Sequence, residues 1–143
     1  MSLFSTGMNL MSKRLPKVID PKTHAVIDYG IAGLFLIAGA IYWKRNKRAA
    51  VSAFICGGAT AMNAMLTDYP GGVWKEMSYQ THGKVDAGLV GATGSMPRLM
   101  DFDDDDEARF FKMQTMVQAT VTAMTDFDAL GKSARSLRAD DVA

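Results

Sequence analysis

Apolar segments alternate with polar or glycine-rich segments along the whole chain. Residues 25–43 form the strongest apolar segment, in which Asp28 is the only charged residue. A helix of this length extends about 28 Å, close to a bilayer core of about 30 Å. A second apolar segment covers residues 49–66 and ends at Thr-Asp-Tyr-Pro-Gly-Gly in residues 67–72, where proline and glycine stop a helix. These two segments predict an antiparallel hairpin.

The two apolar segments of the C-terminal half are weaker. Residues 85–100 contain three glycines and a proline, which we expect to kink or end the helix. Residues 110–127 carry Lys112, Gln114 and Gln118, which a membrane helix tolerates only toward a bundle, a partner or water. We therefore predict an all-α fold, a four-transmembrane-helix bundle made of two tandem helical hairpins.

The two hairpins are repeats of one unit, because the chain aligns with itself without a gap at a shift of 58 residues. The equivalent positions include Thr23-His24 and Thr81-His82, Asp28 and Asp86, and Thr67-Asp68 and Thr125-Asp126. A duplicated unit predicts two structurally similar halves, here related by a pseudo-two-fold axis.

The repeat divides the chain into five parts. Residues 1–22 are an amphipathic segment typical of a membrane interface, or alternatively a poorly ordered terminus. Residues 23–69 and 81–127 are the two hairpin repeats, and residues 70–80 connect them. Residues 128–143 form a polar C-terminal tail.

Composition excludes several classes of function. A formal net charge of +1 gives no reason to expect nucleic acid as a partner. The single cysteine, Cys56, excludes an intramolecular disulfide and a multi-cysteine metal site. No residues resemble a nucleophile with its base or a phosphate-binding loop, so we do not expect an enzyme. A mean hydropathy near zero leaves open a soluble or peripheral helical bundle, with residues 25–43 as its buried core helix.

Polar residues recur at one end of each predicted hairpin. His and Asp lie four residues apart at a helix start, and the next helix returns the chain to the same end at Thr-Asp. We expect six side chains at this level: His24, Asp28, Asp68, His82, Asp86 and Asp126. In a structural interpretation, Thr23 and Thr81 are N-caps and His–Asp pairs join the hairpins. The acids that end helices then accept hydrogen bonds from the histidines or from exposed N–H groups of the neighbouring helix start.

In a functional interpretation, the same six residues are metal ligands. His-x-x-x-Asp is usable spacing for hard to borderline metals. His24 and His82 are also candidate axial ligands of a haem or a chlorophyll-type pigment. Ionisable groups in membrane helices further allow a proton or ion path. The identity of a cofactor stays open, and we expect none to be covalently bound.

The two hairpin loops have opposite charge. Residues 44–48 form a basic loop and residues 101–107 form an acidic loop, and the 58-residue shift aligns 44–48 with 102–106. We expect the loops to attract each other within the molecule or between copies, or to bind a partner of complementary charge. The alternative is that both loops are simply solvated.

The arrangement of these motifs resembles the small four-helix membrane proteins with SPW repeats. The second half reads Thr-His-x-x-x-Asp at residues 81–86, Gly-Ser-Met-Pro-Arg-Leu-Met-Asp-Phe at 94–102 and Thr-Asp-Phe at 125–127. The first half keeps Thr-His-x-x-x-Asp at 23–28 and Thr-Asp-Tyr-Pro at 67–70. The resemblance covers about residues 20–128, implies a bacterial membrane fold, and transfers no catalytic residue.

Together these observations predict a non-catalytic integral membrane protein, an accessory or scaffold subunit of a larger bacterial membrane complex. Its expected partners are the lipid bilayer and other membrane subunits or copies of itself. We expect a multi-pass protein of the inner (cytoplasmic) membrane. Lysine and arginine are slightly more numerous on the side that holds both termini, which favours cytoplasmic termini.

Overall fold

The computed structural model describes residues 6–7, 10, 13 and 15–140 and confirms the all-α class, since these residues form no strand. Residues 1–5, 8–9, 11–12 and 14 of the predicted interfacial segment, residues 1–22, lie outside these ranges. The helices are α1 (Pro21–Tyr42), α2 (Lys47–Leu66), α3 (Tyr79–Leu99), α4 (Ala108–Met124) and α5 (Ala129–Asp140). The prediction of four helices is therefore wrong within the described residues, because the polar tail contains a fifth.

Helices α1 and α3 begin before the Thr-His motif. The Asp20 side chain accepts hydrogen bonds from the backbone N–H groups of Lys22 and Thr23, and Ser78 accepts one from Thr81. The prediction of Thr23 and Thr81 as N-caps is therefore wrong, since each lies in the first turn of its helix. The Thr23 hydroxyl also donates to Asp20 at 2.6 Å, which lowers the pKa of that carboxyl.

Small residues bring α1 and α2 together, and phenylalanines fill the core between the two hairpins. A Cβ added at Gly57 would lie 2.9 Å from the Cβ of Phe35, so only glycine fits this crossing. Phe35 packs against Phe111 with ring centroids 5.8 Å apart, and Phe102 packs against Phe111 at 5.2 Å. These buried rings anchor one hairpin to the other near the charged loops.

The basic and acidic loops pair within the molecule. Arg45 lies 3.1 Å from Glu107, and Arg48 lies 2.8 Å from Asp101. The structure thus shows the intramolecular form of the predicted attraction. These ion pairs join the two hairpins at the end of the bundle that carries the short loops.

The opposite end is joined by backbone hydrogen bonds that repeat at the 58-residue shift. The N–H of Ile19 donates to the carbonyl of Met124 at 3.1 Å, and the N–H of Met77 donates to that of Leu66 at 2.9 Å. The segment that precedes α1 therefore lies beside the end of α4, and the segment that precedes α3 lies beside the end of α2. The starts of α1 and α3 meet the ends of α2 and α4 here.

By length and composition, α1 and α2 are suited to cross a membrane, and they are the only two helices of the described chain that are. Helix α3 contains Pro97 in its last turn and ends two residues later, in agreement with the prediction that this proline kinks or ends the helix. Helix α4 contains Gln114 and Gln118, both of which point into the bundle and are buried. Lys112 lies on the exposed side of α4.

Candidate functional site

Four of the six predicted polar residues meet between the N-terminal turns of α1 and α3. His24 and Asp28 come from α1, and His82 and Asp86 come from α3. Both histidines are completely buried, and Asp28 and Asp86 are 4% and 8% exposed. We call these four residues the His/Asp cluster. Each helix contributes one histidine and one aspartate because residues four apart share a helix face.

One atom of each side chain points to a common centre. The Nε2 atoms of His24 and His82 lie 3.0 Å apart. Asp86 Oδ2 lies 3.0 Å from both nitrogens, and Asp28 Oδ2 lies 3.3 Å from His24 Nε2 and 3.1 Å from His82 Nε2. Two imidazole nitrogens and two carboxylate oxygens therefore lie within 4.8 Å of one another, an arrangement that could hold one metal ion.

The Nδ1 atom of each histidine forms a hydrogen bond with a threonine from the opposite half. His24 Nδ1 lies 2.8 Å from the Thr125 hydroxyl, and His82 Nδ1 lies 2.7 Å from the Thr67 hydroxyl. Each hydroxyl donates its own proton to the backbone carbonyl four residues earlier, at 2.7 Å for Thr125 and 2.6 Å for Thr67. The hydroxyl oxygens are therefore the acceptors, and each Nδ1 carries a proton. In a neutral imidazole this leaves the Nε2 lone pair directed into the cluster.

The two aspartates have different further partners, so the cluster is less symmetric than the repeat. Asn63 Nδ2 donates to Asp86 Oδ1 at 2.8 Å, and the Tyr69 hydroxyl donates to Asp28 Oδ2 at 3.3 Å. Burial and the neighbouring Asp28 charge raise the pKa of Tyr69, which keeps this hydroxyl a proton donor. The equivalent positions in the second half, Val121 and Phe127, cannot donate a hydrogen bond.

The structure does not bring Asp68 and Asp126 into the cluster. Asp68 lies 3.7 Å from Lys75, and Asp126 lies 2.8 Å from Lys132. The hydrogen bond from Lys132 lowers the pKa of Asp126. The expectation that histidines serve as donors to these acids is therefore wrong. The preceding threonines have extended backbones, so successive side chains point in opposite directions.

Four side chains that support the cluster were not predicted as site residues. Thr67 and Thr125 belong to the repeated Thr-Asp pair, and the repeat itself was the signal that could have identified them. Asn63 and Tyr69 occur in the first half without a polar equivalent in the second, so no sequence signal marked them.

Aromatic rings enclose the cluster and leave little free space. The His24 ring contacts Phe127 with centroids 5.3 Å apart, and the His82 ring contacts Tyr69 at the same separation. A cavity of ≈ 10 Å³ adjoins Asp28 and Asp86. This volume holds about one water molecule and is far too small for a porphyrin or chlorin ring. The geometry thus favours a small ion over a macrocyclic cofactor.

Comparison with other proteins does not add an identity. No family model matches the chain, and neither a curated protein nor a solved structure matches it. The functional conclusions below therefore depend on the residues and the geometry of this chain alone.

Proposed function

We propose that this chain is a non-catalytic integral membrane protein whose helices α1–α4 form one bundle in the bilayer and which serves as a subunit of a larger membrane assembly. The observation that carries the proposal is the distribution of side chains. Large apolar residues lie on the outside of α1 and α2, while the ionisable groups of the His/Asp cluster lie inside. This is the reverse of the distribution expected for a water-soluble bundle.

The outward faces of α1 and α2 carry a dense apolar surface. Its exposed residues include Val26, Leu34, Ile37, Ile41, Phe54, Ile55 and Met62. Soluble monomers rarely expose contiguous apolar surface of this kind, because leaving it in water forfeits about 25 cal/mol for each Å². Lipid chains would cover it without cost.

Burial argues against the soluble alternative. That interpretation required residues 25–43 to form a core helix, but only 39% of the most apolar window of α1 is buried. For α2 the corresponding fraction is 50%. Both helices thus direct about half of their surface away from the protein, as helices at the lipid-facing side of a bundle do.

Helix α3 supports the assembly part of the proposal. Gly88, Ala92 and Ser95 are all exposed and lie at helical spacing on one face. Small residues allow two membrane helices to approach closely, and contact with lipid stabilises such a helix face only slightly. We therefore place the contact with a partner helix, from a second copy or from another subunit, on this face of α3.

Alkaline carbonate extraction of native membranes tests membrane integration. We expect the protein to stay in the pellet until detergent is added, whereas release by carbonate alone would contradict the proposal. After mild-detergent extraction, we expect native sizing to show a particle larger than one chain.

Cysteine crosslinking then tests the assembly contact on α3. In a Cys56→Ser background, Ala92→Cys should give a crosslinked product in native membranes. Ile37→Cys on the lipid-facing side of α1 is the matched control and should give none. A monomeric particle that forms no crosslink through Ala92→Cys would exclude the subunit role.

A further inference from the structure

We propose that the His/Asp cluster is a structural binding site for one divalent transition-metal ion, best suited to Zn²⁺. The ligands are His24 Nε2, Asp28 Oδ2, His82 Nε2 and Asp86 Oδ2. This inference goes beyond the role as a membrane subunit and does not depend on it.

The separations of the four ligand atoms fit a tetrahedral zinc site. Five of the six separations, one nitrogen–nitrogen and four nitrogen–oxygen, lie between 3.0 and 3.3 Å, and the two carboxylate oxygens lie within 4.8 Å of each other. The centre of a regular tetrahedron with edges of 3.0–3.3 Å lies about 1.9 Å from each vertex, close to zinc–ligand distances of about 2.0–2.2 Å, and a longer edge between the two oxygens moves the vertices outward. Two imidazole nitrogens with two carboxylate oxygens are a borderline-to-hard ligand set that suits Zn²⁺ and its first-row neighbours.

Charge and protonation also favour an ion at the centre. Because both Nδ1 atoms donate to threonine, four lone pairs converge on one buried point when the histidines are neutral. Two buried carboxylates add a charge that requires compensation. A divalent cation makes the buried unit neutral.

The surroundings of the ligands are those of a metal centre. Metal-binding histidines usually donate their other N–H to an oxygen, which fixes the orientation of the ring. Thr67 and Thr125 accept these protons at 2.7 and 2.8 Å. The two carboxylates are also oriented by hydrogen bonds. Asn63 donates to Asp86, and Tyr69 donates to Asp28.

The expected role of the ion is to join the two halves of the bundle. Two ligands come from α1 and two from α3, so the ion links the first hairpin to the second. Four protein ligands complete a tetrahedral zinc site and leave no coordination position for substrate, which is typical of a structural site.

Metal loading of the purified full-length chain tests the proposal. The protein is prepared in mild detergent with a tag that contains no histidine, stripped with a chelator, and titrated with Zn²⁺. Elemental analysis should give one zinc per chain, with a higher melting temperature than the stripped protein. Loading with Co²⁺ should give the intense visible absorption of a tetrahedral site.

Variants distinguish the cluster from other acidic residues. His82→Gln and Asp86→Asn should abolish the Co²⁺ absorption, whereas the matched controls Asp68→Asn and Asp126→Asn should bind like the wild type. Thr67→Val keeps all four ligands, and we expect its affinity for Zn²⁺ to fall about 10–100-fold.

Two results would contradict the proposal of a metal site. One is a stripped wild-type protein, folded by circular dichroism and sizing, that binds neither Zn²⁺ nor Co²⁺. The other is metal binding that survives unchanged in folded His82→Gln. If the histidine variant does not fold, the imidazole resonances in the ¹⁵N spectrum of the wild type test for metal binding. They can be assigned because His24 and His82 are the only histidines. Unchanged Nε2 resonances on adding Zn²⁺ would exclude the site.

Discussion

The Nε2 atoms of His24 and His82 lie 3.0 Å apart although the two residues are separated by 58 positions, which is the length of the internal repeat. Equivalent residues of the two halves therefore meet at the axis between them. Each histidine also forms a hydrogen bond with a threonine of the other half. Thr67 of the first half accepts from His82, and Thr125 of the second half accepts from His24. Neither half can complete its own histidine site alone.

Removing the hydroxyl of either threonine that accepts a hydrogen bond from a histidine of the other half should destabilise the bundle. Thr67→Val and Thr125→Val keep the side-chain shape but leave a buried imidazole N–H without its acceptor. We expect each to cost about 1–3 kcal/mol of unfolding free energy. Thermal unfolding in mild detergent with a chelator present measures this without a contribution from bound metal.

The exposed residue Thr120 supplies the matched control for this prediction. Its hydroxyl also donates to a backbone carbonyl four residues earlier, at 2.8 Å. Thr120→Val should change stability by less than about 0.5 kcal/mol. Equal losses for Thr120→Val and Thr67→Val would show that the threonine–histidine contacts contribute nothing specific.

Gly83 is required where α3 passes the ring of Phe127. A Cβ at this position would lie 2.6 Å from Phe127 Cγ, which is closer than real contacts allow. We expect Gly83→Ala to cost about 1–3 kcal/mol through overpacking, despite the better helix propensity of alanine. Gly30→Ala meets nothing within 4 Å and should be neutral or stabilising by up to about 1 kcal/mol. Denaturation of the two variants side by side gives the comparison, and a stabilised Gly83→Ala would refute the packing argument.

The two loop ion pairs should differ in their contribution to stability. Glu107 is buried and Arg45 lies 3.1 Å from it, whereas Arg48 and Asp101 are both exposed. Arg45→Ala leaves a buried carboxylate with less compensation and should cost about 1–3 kcal/mol. Arg48→Ala should cost less than about 1 kcal/mol, a difference that added salt reduces further. Chemical unfolding at two salt concentrations measures both, and the reverse order would contradict this account of the loop contacts.

The contact between Asp126 and Lys132 should make stability depend on pH in the acid range. The hydrogen bond from Lys132 holds the pKa of Asp126 below its ordinary value of 3.8. The pair's contribution is therefore present above pH 3.8 and is lost as the pH falls through the lower pKa of the folded state. NMR titration of the Asp126 carboxyl should show its pKa rising in Lys132→Met. A pKa that does not change would mean that Lys132 does not hold this carboxylate in solution.

The repeat made much of the architecture predictable. Equal spacing of His, Asp and the Thr-Asp pair in both halves placed six ligand candidates at one end of a helical bundle, and the structure brings four of the six together. The apolar segments also located the four bundle helices, although the third begins at Tyr79, well before the predicted residue 85.

Local backbone conformation explains what the sequence did not reveal. The extended conformation of Thr67 turns its hydroxyl inward and Asp68 outward, and spacing alone does not indicate which residue of such a pair is buried. The N-cap of α1 is Asp20, about one turn before the Thr-His motif at residues 23–24. Helix α5 lacks an apolar segment, so a search for such segments could not identify it.

The most direct test of the account is the environment of Ile37, which is 59% exposed on the outside of α1. A spin label attached at this position in reconstituted vesicles reports whether lipid or water surrounds it. We predict strong relaxation by oxygen, which concentrates in lipid, and almost none by a water-soluble chromium complex. Strong relaxation by the chromium complex would place this face in water and contradict the assignment of the bundle to the membrane.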